Sequence, residues 1–148
     1  MVKALDKMPD IASLRLMSNF AILRCQKLKS KAEIMGALRH NYRTIKTDNA
    51  DADKRHKNKD LFSFEESRER YASIMNNVES IRKNAVHAVE FVVTISPEVR
   101  KNKLMKKEEG ANYFKDAKEF LSKELGGDQN LIATNLHMDE KTPHLHLI

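Results

Sequence analysis

The sequence predicts an α+β domain in which a central antiparallel sheet of four strands is covered by helices. Three observations carry this. Segments of β-branched or alternating character and segments of helical period follow one another in the order β, α, loop, α, β, α, β, β. Too few helical crossovers separate the strands for a parallel doubly wound sheet. The last two strands are joined only by "MDEKTP", a link short enough for antiparallel neighbours.

Residues 1–17 read as a lead-in, broken at Pro9-Asp10, with the domain proper over 18–148. "NFAILRCQKL" (19–28) alternates as a strand, with Cys25 expected in the core. Ser30 and Glu33 stand in capping-box spacing, and Ile34, Met35 and Leu38 follow at helical period, so a short helix ends near Tyr42. The polar stretch 46–61 has no period and is expected to be a loop. Asn49, Asp51 and Asp53 alternate there as in a calcium loop, but its glycine and distal glutamate are missing. Ser63 and Glu66 form a second capping box. Tyr71, Ile74, Met75, Val78 and Ile81 extend the helix behind it. "VHAVEFVVTIS" (86–96) is a strand closed by Pro97, and 98–107 a basic connector. Tyr113, Phe114, Ala117, Phe120 and Leu121 mark a third helix, ended by Gly126-Gly127. "NLIATNLHM" (130–138) and "HLHLI" (144–148) complete the sheet.

Composition narrows the function classes. The chain has 148 residues, 41% hydrophobic and 32% charged, with a net charge of +6. The excess of lysine and arginine favours a polyanionic partner, nucleic acid before membrane. One cysteine excludes an intrachain disulfide. No apolar run is long enough for a membrane span or a secretion signal, which leads to the expectation of a cytoplasmic protein.

The terminal hairpin carries the chemistry. Alternation puts His144 and His146 on one face of the last strand and Leu145 and Leu147 on the other. On the preceding strand, His137 shares a face with Asn135, and Leu136 takes the opposite one. Antiparallel pairing brings the three imidazoles together, a donor set suited to a divalent transition metal. Asp139 and Glu140 lie beside it as a further ligand, orienting group or base. With a basic chain, the favoured substrate is a phosphodiester.

The run His137-Met138-Asp139-Glu140 to Pro143-His144-Leu145-His146 resembles the H-x-D-E-x-x-P-H-x-H motif of the Pre/Mob (MobV-type) plasmid mobilisation relaxases, a branch of the HUH endonucleases. "RHNYR" (39–43) resembles the family's H-N-x-R segment, and "IRKNAV" (81–86) the stretch before its second core strand. "RHKNKDL" (55–61) is a weaker match, with Lys59 where a tyrosine is expected. The resemblance implies an HUH relaxase-like sheet with a fifth strand. Because the motif stops two residues before Ile148, the domain is read as truncated and that strand as missing.

What the resemblance implies is site- and strand-specific nicking and rejoining at a plasmid origin of transfer. The protein would stay covalently bound to the 5′ phosphate, with Mn2+ or Mg2+ as cofactor. Plasmid DNA, single-stranded at the nick, is the expected partner, with other mobilisation or coupling proteins beside it. His137, His144 and His146 carry over as metal ligands and Glu140 as the acid beside them. His40 carries over as the nucleophile, with Tyr42 the rival phenol and Arg43 a phosphate-holding cation. Arg39, Arg43, Arg82 and Lys83 are candidate DNA contacts, as is the stretch from Arg100 to Lys107. Two other readings stand beside this one: a non-catalytic origin-binding module or repressor, and a histidine-ligated hydrolase of small molecules.

Overall fold

In the computed structural model, which describes residues 21–97, 99 and 107–148, the strands form one five-stranded sheet, antiparallel throughout. The elements are β1 (Ala21–Leu28), α1 (Lys31–Asn41), β2 (Lys59–Asp60), α2 (Phe64–Asn76), β3 (Ala88–Ile95), α3 (Lys107–Glu124), β4 (Thr134–His137) and β5 (His144–Leu147). Spatial order is β1-β3-β5-β4-β2, so the histidine hairpin β4–β5 is flanked on both sides. The lead-in and most of the basic connector lie outside the described residues. Among the described residues, no helix is long and apolar enough to cross a membrane.

Each face of the sheet has its own apolar cluster. On one, Ile34 and Leu38 of α1 and Tyr71 of α2 pack with Leu28, Ile132, Ala133 and Ile148. On the other, Phe114 and Leu121 of α3 pack with Val93, Leu145 and Leu147. The leucines of β5 therefore anchor the hairpin from beneath, and its histidines face the α1 side. Burying such side chains contributes about 1.5–3 kcal/mol each.

Four sequence expectations are corrected. The loop at 46–61 contains the fifth strand: Lys59 and Asp60 pair with Leu136 and Asn135. A 3-10 turn over Ala52–Lys57 precedes it. Two polar residues held by backbone bonds leave no apolar pattern to read. Among the described residues the sheet thus has five strands rather than the expected four. Helix α2 stops at Asn76, where Asn77 caps it, so Val78 and Ile81 do not continue its apolar stripe and are 44% and 45% exposed. Cys25 is exposed rather than in the core, because β1 is an edge strand whose outer positions are uncovered.

Candidate active site

The end of α1 sets one wall of the site. The Ser30 hydroxyl accepts from Glu33 N at 3.1 Å, and Glu33 accepts from Lys29 N at 2.8 Å, fixing where the helix begins. It ends in a pair of reverse bonds, Arg43 N to His40 O and Thr44 N to Arg39 O. This closure demands a left-handed residue, usually glycine, yet the position holds Arg43 at φ 54°. Residues two apart on a helix face different ways, so His40 and Tyr42 diverge. Tyr42 turns into the core, where its hydroxyl donates to Phe62 O at 2.9 Å and bonds Ser67 at 2.7 Å. His40 instead faces the histidine hairpin, its ring centroid 6.0 Å from that of His146 and 6.4 Å from that of His137.

Cross-strand pairing places His137 directly opposite His144, with His146 on the same face two residues further. One ligand nitrogen from each of the three lies within 4.8 Å of the others. The remaining ring nitrogens fix the tautomers. His137 Nε2 donates to the Asn41 carbonyl at 2.7 Å, and His144 Nδ1 to the Thr142 carbonyl at 2.9 Å. His146 Nδ1 donates to Glu90 Oε1 at 2.8 Å, and Asn41 Nδ2 holds that same oxygen at 2.9 Å. Each ring is thereby left with one lone pair pointing inward: His137 Nδ1, His144 Nε2 and His146 Nε2. The first two face one another at 3.2 Å with no proton to share, and His146 Nε2 is buried without a hydrogen-bond partner. Opposed lone pairs repel; a cation between them removes the repulsion. Metal–nitrogen bonds of about 2.0–2.1 Å put neighbouring ligands at a comparable spacing. The residues fit a divalent metal ion.

Burial favours the neutral form of His137, His144 and His40. Burial pushes His137 down to about 3 and lowers His144 as well. Burial, then the Arg43 guanidinium and His146, lower His40 below its ordinary 6.5 against the opposing pull of Glu140 and Glu90. Protonation would compete with a metal at the first two and occupy the free lone pair at the third.

The acids and Arg43 form a bracket around the site. Arg43 donates from Nε and Nη2 to the two Asp139 oxygens, both at 2.9 Å, and from Nη2 to Glu140 Oε1 at 2.6 Å. Its Nη1 lies 3.3 Å from His40 O and 3.5 Å from His40 Nε2. Burial alone would raise the Asp139 pKa, but its bonds to Arg43 hold it at about 2. Arg43 is buried, bonded to two carboxylates and in contact with His40. Glu140 Oε1 lies 3.7 Å from His144 Nε2. Asn58 Oδ1 accepts from the Met138 and Asp139 amides at 2.7 and 3.1 Å and fixes the turn carrying both acids.

Other sequence candidates fall elsewhere. Arg39 is exposed on the last turn of α1. Arg82 and Lys83 are exposed before the start of β3 at Ala88. The partner of His144 is Thr94, six residues further along, or roughly 20 Å of strand. Sequence reading missed Glu90 and Asn41. The available signal was an acid inside an otherwise apolar strand, which burial tolerates only with a partner.

A cleft of about 720 Å³ opens over the histidines, with His40, His144, His146 and Glu140 in its wall and Arg24 and Thr94 on the sheet floor. The fold and the site together define an antiparallel α+β domain carrying a candidate three-histidine metal centre with a fourth histidine above it. A family described as plasmid recombination enzyme, Mob_Pre, matches residues 17–148, and the chain belongs to that family. The plasmid recombination enzyme of Bacillus thuringiensis is 35% identical over 140 residues, covering 88% of this chain and 30% of that protein. A 65 kDa protein of Zymomonas mobilis is 33% identical over 134 residues, 87% of this chain and 22% of its own length. The chain thus spans under a third of these two relatives. Among solved structures, the manganese-bound MobM relaxase domain in complex with 22 nucleotides of plasmid pMV158 oriT DNA superposes with a TM-score of 0.72 at 25% identity. That match covers 86% of this chain and 68% of the MobM domain.

Proposed function

We propose that this chain is the catalytic part of a relaxase that nicks one DNA strand at a plasmid origin of transfer, with His40 as the nucleophile, and later rejoins it. The observation that carries this is the convergence of three inward lone pairs beneath the His40 ring. His137, His144 and His146 would hold a divalent ion, manganese in keeping with the MobM complex. When bound there, such an ion supplies Lewis-acid polarisation of a phosphoryl oxygen.

The chain's own residues do the rest. Burial and the Arg43 charge keep the His40 imidazole neutral, so a ring lone pair is available near pH 7. Attack forms a P–N bond and breaks the P–O3′ bond; the 3′ oxygen departs and takes up a proton. The 5′ phosphate stays on the imidazole as a phosphoramidate, and return of a 3′ hydroxyl reverses both bond changes. Arg43, braced by Asp139 and Glu140, positions His40 for this line of attack. Tyr42 has no part in it, since its hydroxyl is committed to Phe62 O and Ser67.

The test is capture of the covalent protein–DNA adduct on an origin oligonucleotide with manganese. Wild type and Tyr42→Phe form it, and His40→Ala does not. The linkage is acid-labile, as a phosphoramidate must be. An origin-binding module without turnover would bind the oligonucleotide and never acquire the tail, which would overturn the proposal.

A further inference from the structure

The cleft extends beyond the histidines to the edge of the sheet, and its far end holds an unassigned cation. Arg24 of β1 pairs with Val92 of β3, and Val92 pairs with His146 of β5. Directly opposed residues in antiparallel strands share a face, so Arg24, Val92 and His146 form one row across the histidine side. Two strand spacings of about 4.8 Å place the Arg24 backbone roughly 10 Å from that of His146. Between them Val92 is a low apolar floor, and the neighbouring row carries Ile22 and Thr94.

Resting on the relaxase reading above, we propose that Arg24 binds a backbone phosphate of single-stranded DNA adjacent to the one that reacts at His40. The Arg24 side chain is exposed and has neither an ion pair nor a hydrogen bond among the described residues. The anions nearest the histidines are already taken: Glu90 by His146 and Asn41, Glu140 by Arg43. A guanidinium lining an open cleft with no intramolecular partner is matched to an external oxyanion, which it binds in a two-pronged fashion. Among the described residues that line the cleft there is no phenylalanine or tyrosine, and its imidazoles are those grouped at or above the candidate metal site. The guanidinium therefore suits the sugar–phosphate chain. Such a contact fixes the register of the strand over the histidines without reading its sequence.

The experiment measures binding of a fluorescein-labelled thymidine oligonucleotide to the metal-loaded protein, in manganese, across a salt series. Wild type is compared with Arg24→Ala, Arg24→Lys and Lys115→Ala. Lys115 is an exposed cation on α3, across the sheet, and its loss controls for net charge. One phosphate contact contributes a slope of about 0.7 in log K against log salt for a single strand. Arg24→Ala is expected to lower the slope by that amount and to weaken binding about fivefold at 0.1 M salt. Arg24→Lys retains the slope, and Lys115→Ala leaves slope and affinity unchanged. Equal behaviour of Arg24→Ala and Lys115→Ala would overturn the proposal and leave Arg24 as a charge that guards an edge strand. Failure of the wild type to bind the oligonucleotide would overturn the relaxase reading itself, and this proposal with it.

Discussion

Arg43 occupies a backbone conformation that disfavours every side chain larger than glycine, and it does so because three carboxylate oxygens await its guanidinium. The conformational cost is of order 1 kcal/mol; the buried ion pair it permits is worth more to keep than to break. Arg43→Ala strands the Asp139 carboxylate in a dry site and is expected to destabilise the fold by about 3–5 kcal/mol, read from urea denaturation. Arg43→Gly relaxes the backbone and so loses less than Arg43→Ala. Glu90 acts at the opposite ring. With Glu90→Gln, the His146 tautomer loses its charged acceptor, and manganese affinity in a competition titration is expected to fall 10–100-fold with the fold intact. An unchanged affinity would show that the Asn41 and Thr142 carbonyls orient the set without it.

At the level of the element, the β4–β5 hairpin is both scaffold and site. Alternation alone separated its histidines from its leucines, and this part was legible because a buried strand enforces period two on both faces. Other elements left weaker traces. Strand β2 is two polar residues whose only signature is backbone pairing to β4. The end of α2 was hidden because Val78 and Ile81 continue the apolar spacing by coincidence, while the stop is made by the Asn77 cap. The parting of His40 from Tyr42 follows from helix spacing, but the left-handed turn that brings in Arg43 was not legible, because sequence rules assign it to glycine or asparagine. The Asn58 side chain ties the β2 edge to the acid-bearing turn through two amide bonds. Asn58→Ala should therefore cost about 1–3 kcal/mol and loosen Glu140 as well, seen as a slower nicking rate at saturating DNA.

Across the whole molecule, the site makes the fold acid-sensitive. His137 is held near 3 in the folded chain and returns to about 6.5 on unfolding, so the unfolded state binds the extra proton between these values. Its contribution is complete above about pH 6.5 and is lost as pH falls toward 3. Asp139, held at about 2 against an ordinary 3.8, adds a second loss below that. In chelator, the melting temperature should drop steadily from pH 7 to 4, and His137→Gln should flatten the upper part of that slope. A metal bound only to the folded state raises the curve, and protons compete it away. The three ligands come from a span of ten residues on two arms of one hairpin. An ion seated there works as a clasp: those arms cannot part until it is released. Amide exchange from Thr134 to Leu147 should slow on adding manganese while α2 exchanges as before, making the cation a fastener of the hairpin at the middle of the sheet.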